Sequence, residues 1–386
     1  MASWALIIAF LFGNLYKFSF FSPDVRLSLL DIVVFALTLV TFPPKLGKYR
    51  FLASPVLVFF TLAFISLALA LPVYGWQAVL VGSMYLARWL VYTIFFASIL
   101  QLIKSSKIRK ILLIIGISTA LLGLGQYLLF PDVRSLAVSE WDPHYFRVVG
   151  TFLDPGFTGL ILVFTLILVE NVSFWWLITY LALALTYSRS SYLAFLASMA
   201  YLAWKRKGWK FFFQILLLFT VTLTILPRAP DGEGVKLERT SSIQARIDSW
   251  TTAWKIYTQK PILGVGFNVY RYAQGASLKS HAGAGADSSL LFVAATTGTL
   301  GPLAYLWYLR RLYLLSTMNY ELKATLVAVL AHSLFLNSLF YPAIMVWISL
   351  LLSSSDFLPG RLPQTPRYSP RKAPKAKSET SPRRPK

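Results

Sequence analysis

The chain has 386 residues, of which 56% are hydrophobic, 16% aromatic and only 13% charged. Such a composition excludes a soluble globule and specifies an all-α, multi-pass integral membrane protein. There are no cysteines, which excludes a disulfide framework, a thiolate metal site and a cysteine nucleophile, and the net charge of +22 is spread over separate loops and makes no single face for a nucleic acid.

Apolar windows long enough to cross ~30 Å of hydrocarbon as helices fall near 3–21, 27–42, 53–72, 77–103, 111–130, 156–170, 173–188, 190–204, 209–226, 288–309, 322–338 and 340–355, about twelve spans. The first opens Met-Ala-Ser-Trp, without the basic region and cleavage site of a removable signal peptide, and reads as a retained span. Lys45, Lys48 and Arg50 follow the second span; Lys104, Lys107, Arg109 and Lys110 the fourth; Lys205, Arg206, Lys207 and Lys210 the eighth; Arg310, Arg311 and Lys323 the tenth. They mark alternate loops, which predicts cytoplasmic termini and puts 131–155 and 227–287 on the outer side. Residues 1–358 read as one polytopic membrane domain. The segment Pro359–Lys386 is rich in Pro, Ser, Lys and Arg and reads as a disordered basic cytoplasmic tail held near anionic lipid headgroups, with little for base stacking in a nucleic acid.

Candidate site residues follow the same order. Arg88, in Tyr-Leu-Ala-Arg-Trp-Leu, sits inside an apolar span, where it can bind phosphate, pair with a neighbouring helix or snorkel. Arg147 follows Trp141, His144, Tyr145 and Phe146, aromatics of the kind that anchor at an interface or stack on a sugar ring. Arg189, in Thr-Tyr-Ser-Arg-Ser-Ser between two apolar runs, is a guanidinium at the membrane edge and needs an anion. The stretch 227–287 is the longest outside the spans, and a loop of that length is usually functional. Within it Arg246, Trp250 and Ala253 recur at i, i+4 and i+7 and share one face of an amphipathic helix along the membrane surface. There Arg246 either serves the site or snorkels to headgroups. Gly264-Val-Gly266-Phe-Asn follows Pro261 as a flexible turn where backbone can approach a ligand closely. His332, near Asn337, reads as a buried residue in an interhelical hydrogen bond.

Four segments carry a resemblance: Arg147-Val-Val-Gly-Thr-Phe-Leu-Asp-Pro155; Leu185-Thr-Tyr-Ser-Arg-Ser-Ser-Tyr192; Arg246-Ile-Asp-Ser-Trp250 running to Pro261-Ile-Leu-Gly-Val-Gly-Phe-Asn268; and Asp287-Ser-Ser-Leu-Leu running to Thr297-Gly-Thr-Leu-Gly301. In order and position, from about 140 to 310, they are similar to the O-antigen ligases and O-antigen polymerases of bacterial envelopes. The resemblance implies a GT-C-like glycosyltransferase of the plasma (inner) membrane. Such an enzyme takes a glycan from an undecaprenyl-diphosphate carrier on the outer face and joins it to an acceptor hydroxyl, in lipopolysaccharide or exopolysaccharide assembly, with no metal or other cofactor. Arg189 and Arg246 match the family's diphosphate-binding arginines, and two guanidiniums can hold a lipid diphosphate bidentately as its charge develops.

The acceptor hydroxyl needs a general base. Where the ligases place a histidine this sequence has Asp287, which leans the resemblance toward a polymerase or another acceptor, and His281, six residues upstream, is a second candidate base or a loop residue without a role. Arg147, Arg88 and Trp250 are candidate substrate contacts. Asp154 is a candidate acceptor contact or the N-cap of the following helix; the family's Pro-Asn at this point is Pro-Gly here, at Pro155 and Gly156. Twelve spans with basic inner loops also describe a transporter or a lipid-linked glycan flippase. Such a carrier should show internal repeats and broken helices, and no repeat between the halves is legible. A degenerate relative that scaffolds envelope assembly is a third reading.

Overall fold

The computed structural model describes residues 1–20, 22–43, 52–135, 143–169, 171–227, 233–275, 285–315 and 319–354; the tail 359–386, Trp141 and His281 lie outside them. Helix α1 (Ala2–Phe12) ends well before residue 21, so the first expected span is shorter than its apolar run. Gly13 packs against Leu30, leaving 2.8 Å between a would-be Cβ and the Leu30 nitrogen. Beyond it, Lys-Phe-Ser-Phe alternates with the period of a strand, and β1 (Lys17–Phe20) pairs antiparallel with β2 (Ser22–Ser28). Ser28 then starts α2 (Leu29–Val40) with a capping box: its hydroxyl accepts from the Asp31 amide, and the Asp31 carboxylate accepts from the Ser28 amide at 2.7 Å.

Helix α3 (Ala53–Leu102) is continuous in its bonding except at Gly75, whose φ is +78°. The chain reverses there, since Phe59 and Trp89, thirty positions apart, stand ring against ring at 4.7 Å. Two antiparallel arms result, matching the separate spans expected at 53–72 and 77–103. There follow α4 (Ser105–Leu129), α5 (Pro155–Leu168), α6 (Phe174–Ala184), α7 (Arg189–Leu202), α8 (Trp209–Ile225), α9 (Ser241–Gln259), α10 (Tyr270–Ala273), α11 (Ser289–Thr297), α12 (Leu300–Leu315), α13 (Tyr320–Ser333) and α14 (Pro342–Leu352).

The expected span 288–309 is broken into α11 and α12 at Gly298, with φ +64° and room for no Cβ: one would stand 2.1 Å from the Ile262 carbonyl oxygen. Among the described residues, Ala53–Leu102 and Ser105–Leu129 are long and apolar enough to cross a bilayer, while α1, α2, α5, α6, α8 and α14 are apolar but shorter. A 14-residue helix such as α5 rises ~21 Å. The count of twelve therefore does not carry over one window to one helix.

Solvation is that of an integral membrane protein. Leu128 and Ile225 are 76% and 73% exposed, patches that water would not tolerate, while Thr158, Thr165, Ser191, Ser198 and His332 are fully buried. Helix α7 forms the centre, against α5 and α13. The β-hairpin and the described residues of 130–155 and 226–287 gather at one end, joined by bonds such as Asn14 Nδ2 to the Phe152 carbonyl at 2.6 Å and Val148 N to the Leu185 carbonyl at 2.8 Å. Toward the other end Arg109 joins Glu321 and donates to the Leu168 carbonyl at 2.8 Å.

Candidate functional site

Arg189 is the first residue of α7, set by Ser188, whose hydroxyl accepts from the Ser191 amide as N-cap. The turn before it is fixed from behind. Arg147 donates through Nε to the Thr186 carbonyl at 2.9 Å and through Nη2 to the Tyr187 carbonyl at 3.3 Å, and Arg239 reaches the same Tyr187 oxygen at 3.2 Å. Arg189 itself donates to the carbonyls of Leu237 and Arg239, at 3.3 and 3.2 Å, and to the Ser242 hydroxyl at 2.5 Å. One helical turn further along α9, the Arg246 guanidinium lies 5.7 Å from the centre of the Phe335 ring.

The two arginines line one cavity of about 220 Å³ with apolar walls from Leu193, Ile243, Ile247, Trp250 and Phe335. Among the described residues neither makes an ion pair. Burial pushes the Arg246 pKa down, partly offset by the Asp287 carboxylate, while Arg189 pushes it down further; a guanidinium nonetheless stays charged at neutral pH. Arg189, at the N-terminus of the 14-residue helix α7, where amides and dipole are positive, and Arg246, from α9, thus bring two cations to an apolar groove, an arrangement that can take an anion.

A second cavity of about 570 Å³ lies across α9. Ala245 and Ser249 face it, whereas Arg246 and Trp250 face the first, and the loop after α13 divides in the same way, Phe335 to one side and Leu336 and Asn337 to the other. Asp287 lines the larger cavity and its backbone is clamped to the dividing wall: its amide donates to the Ser249 hydroxyl at 2.9 Å, and its carbonyl accepts from Trp250 Nε1 at 3.0 Å. Asp154, Arg88, Asn268, Arg271 and Asn337 also line it, among Tyr85, Phe157, Tyr272 and Tyr341. Its volume falls within the ~300–1,000 Å³ of small-ligand sites.

The expected residues thus divide. Arg189, Arg246 and Trp250 share the smaller cavity; Asp287, Asp154 and Arg88 share the larger. Arg147 lines neither cavity and holds the turn before Arg189. Arg88 forms a salt bridge to Asp31 at 2.6 Å, and Tyr92 donates to the same carboxylate at 2.8 Å, the helix-pairing alternative. Asp154 Oδ1 accepts from the Gly156 and Phe157 amides at 2.6 and 2.8 Å, the N-cap alternative, while still lining the cavity. His332 is fully buried, its Nδ1 bonded to the Ser338 hydroxyl at 2.6 Å and its Nε2 beside the Ser190 and Ser191 hydroxyls.

The Gly-x-Gly turn brings backbone close to protein instead of opening it to a ligand. A Cβ on Gly264 would stand 2.3 Å from the Thr296 carbonyl carbon, and one on Gly266 2.6 Å from the Ala70 side chain. Arg271 was not legible beforehand, since a lone arginine beyond a turn carries no pattern. Asn268 offered a faint signal as the end of the glycine motif, and its φ is +58°.

Residues 172–306 match the family model described as O-antigen ligase. No curated protein matches the chain. The matched stretch holds Arg189, Arg246, Asp287 and all of α9; Arg88, Asp154 and Asn337 fall outside it.

Proposed function

We propose, for a chain whose residues 172–306 match the O-antigen ligase family, a glycosyl transfer at the place where Trp250 and Asp287 bring the two cavities together, with the lipid diphosphate seated on one side of α9 and its sugar reaching past that contact to the acceptor on the other. The donor is a glycan on undecaprenyl diphosphate at the outer face of the plasma membrane. Its diphosphate sits between Arg189 and Arg246 and its prenyl chain lies along Leu193, Ile243 and Ile247. The acceptor glycan enters the larger cavity, where Asp287, standing in for the family's histidine, takes the proton of the attacking hydroxyl. The acceptor oxygen bonds to the anomeric carbon as the bond from that carbon to the phosphate oxygen breaks, and the lipid diphosphate leaves with the electron pair. No metal is required, because the two guanidiniums stabilise the developing charge.

The observation that carries this reading is the pair of arginines that, among the described residues, form no salt bridge and line an apolar pocket beside the wall that holds a carboxylate. A hydroxyl-lined, aromatic acceptor cavity favours glycan joined to glycan, the polymerase outcome. Arg88 and Asp154 are wall contacts for that acceptor, and the basic tail holds to anionic headgroups on the cytoplasmic side. The test is turnover of a radiolabelled undecaprenyl-diphosphate oligosaccharide by the purified protein in lipid. Arg189→Ala and Arg246→Ala should each lower it roughly 10²–10³-fold, and Asp287→Asn roughly 10²–10⁴-fold. Protein-dependent movement of the lipid across the bilayer with no transfer would instead make the protein a flippase.

A further inference from the structure

Asn337 stands where an unmet polar group faces the Asp287 cavity. Its Oδ1 is shielded from solvent and has no hydrogen-bond partner, yet the side chain lines the larger cavity. A buried carbonyl acceptor left unmade is costly, and turning the amide over would only strand the NH₂ group in its place. The backbone at this position is tied on either side. Ser338, the next residue, is bonded to His332 Nδ1 at 2.6 Å, and the Ser289 hydroxyl ties the loop to the start of α11 by accepting from Leu339 N at 3.1 Å and donating to the Leu336 carbonyl at 3.3 Å.

That tie lies two residues beyond Asp287, so the amide and the carboxylate are held on one frame. On the near side, Gly285 leaves the amide room: a Cβ there would come within 3.3 Å of Asn337 Nδ2. Beside them Phe157 and Tyr341 stack at 3.7 Å with their planes 6° apart, forming a flat aromatic wall. An amide that must both accept and donate, beside a flat aromatic wall, fits neighbouring hydroxyls of a sugar ring better than an anion, which would give its oxygen no proton.

We propose that Asn337 seats the acceptor sugar by swinging its amide out of the wall into the cavity, where it accepts through Oδ1 and donates through Nδ2 to a pair of hydroxyls so that one of them points at Asp287. The proposal rests on the glycosyl-transfer reading above. The probe is the repeat-unit oligosaccharide freed from its lipid diphosphate by mild acid, supplied as acceptor at fixed labelled donor, then the donor varied at fixed acceptor. In Asn337→Ala and Asn337→Leu the acceptor KM should rise about tenfold or more with the donor KM unchanged, and Tm should hold or rise, because an unmet acceptor has been removed. Asn337→Gln, which moves the amide by one methylene, should share the acceptor defect. An unchanged acceptor KM in the alanine variant overturns the proposal while leaving the transferase reading intact, as does a fall in Tm with both KM values shifted, which marks a structural residue. Absence of transfer in the wild-type protein overturns both.

Discussion

His144 Nε2 is buried without a hydrogen-bond partner, and the imidazole is pushed down to about 3, first by burial and then by the nearby Arg147 and Arg239 guanidiniums. In the unfolded chain a histidine titrates near ~6.5. Below that pH the unfolded state takes up a proton that the folded state refuses, so stability is complete above ~6.5 and drains away as the pH falls toward 3. His144→Gln should remove this dependence. Thermal melts in detergent at pH 7.5 and 5 should show wild type losing on the order of 1–2 kcal/mol more than the variant over that interval; parallel losses would mean that the ring is hydrated. At this scale the sequence is legible where charge meets apolar chain. Arg189 stands out because a cation between two apolar runs demands an anion, Arg246 because it shares one face of an amphipathic helix with Trp250 and Ala253, and Asp154 because it precedes a proline-led helix. The partner of Arg88 was not legible, since Asp31 is 57 positions away and only tertiary packing joins them.

The joint between α9 and α11 shows how elements are set against each other. Gly264 N donates to the Lys260 carbonyl, Val265 and Gly266 donate to the Ala295 and Thr296 carbonyls, and Thr299 donates to the Pro261 carbonyl at 2.8 Å. The chain after α9 is thus laid against the end of α11, which holds Asp287 near Trp250. Gly264 and Gly298 have φ of +70° and +64°, and a side chain on either would overlap backbone at 2.3 or 2.1 Å. Alanine at either site should combine left-handed strain of ~1–3 kcal/mol with a clash that only separation of the two segments relieves. Gly75 is the control, with φ +78° but nothing within 4 Å; its alanine variant carries the strain alone. The expected order of Tm is wild type, then Gly75→Ala, then the other two with activity lost as well; equal losses at all three would show that the joint yields. The glycine motif was readable as a place of close approach. What approaches, the end of a helix that reads in sequence as part of one long span, was not.

At the scale of the molecule, the two cavities that flank α9 share a wall one helix thick, and their linings differ in kind: apolar with two cations on one side, aromatic and polar on the other. The periodicity of α9 encodes this. Residues 245 and 249 are four apart and share one face, while 243, 246, 247 and 250 cover the other, so a single amphipathic helix read from sequence as a surface element is in fact a partition. The amphipathic pattern was legible; the partition was not, because the second wetted face depends on α3 and on the loop after α13, which are remote in sequence. If the wall keeps the two seats apart and the substrates meet only beside the Trp250–Asp287 contact, blocking each cavity has a separate effect. Ala245→Trp fills space on the Asp287 side and should raise the acceptor KM by about tenfold or more while binding of the lipid diphosphate alone is unchanged. Leu193→Trp fills space on the arginine side and should weaken lipid diphosphate binding by a similar factor with the acceptor KM unchanged. Filter binding of labelled undecaprenyl diphosphate, beside acceptor saturation curves, separates the two effects. Crossed effects, with each variant impairing both measurements, would mean that donor and acceptor occupy one common space and that α9 does not partition their seats.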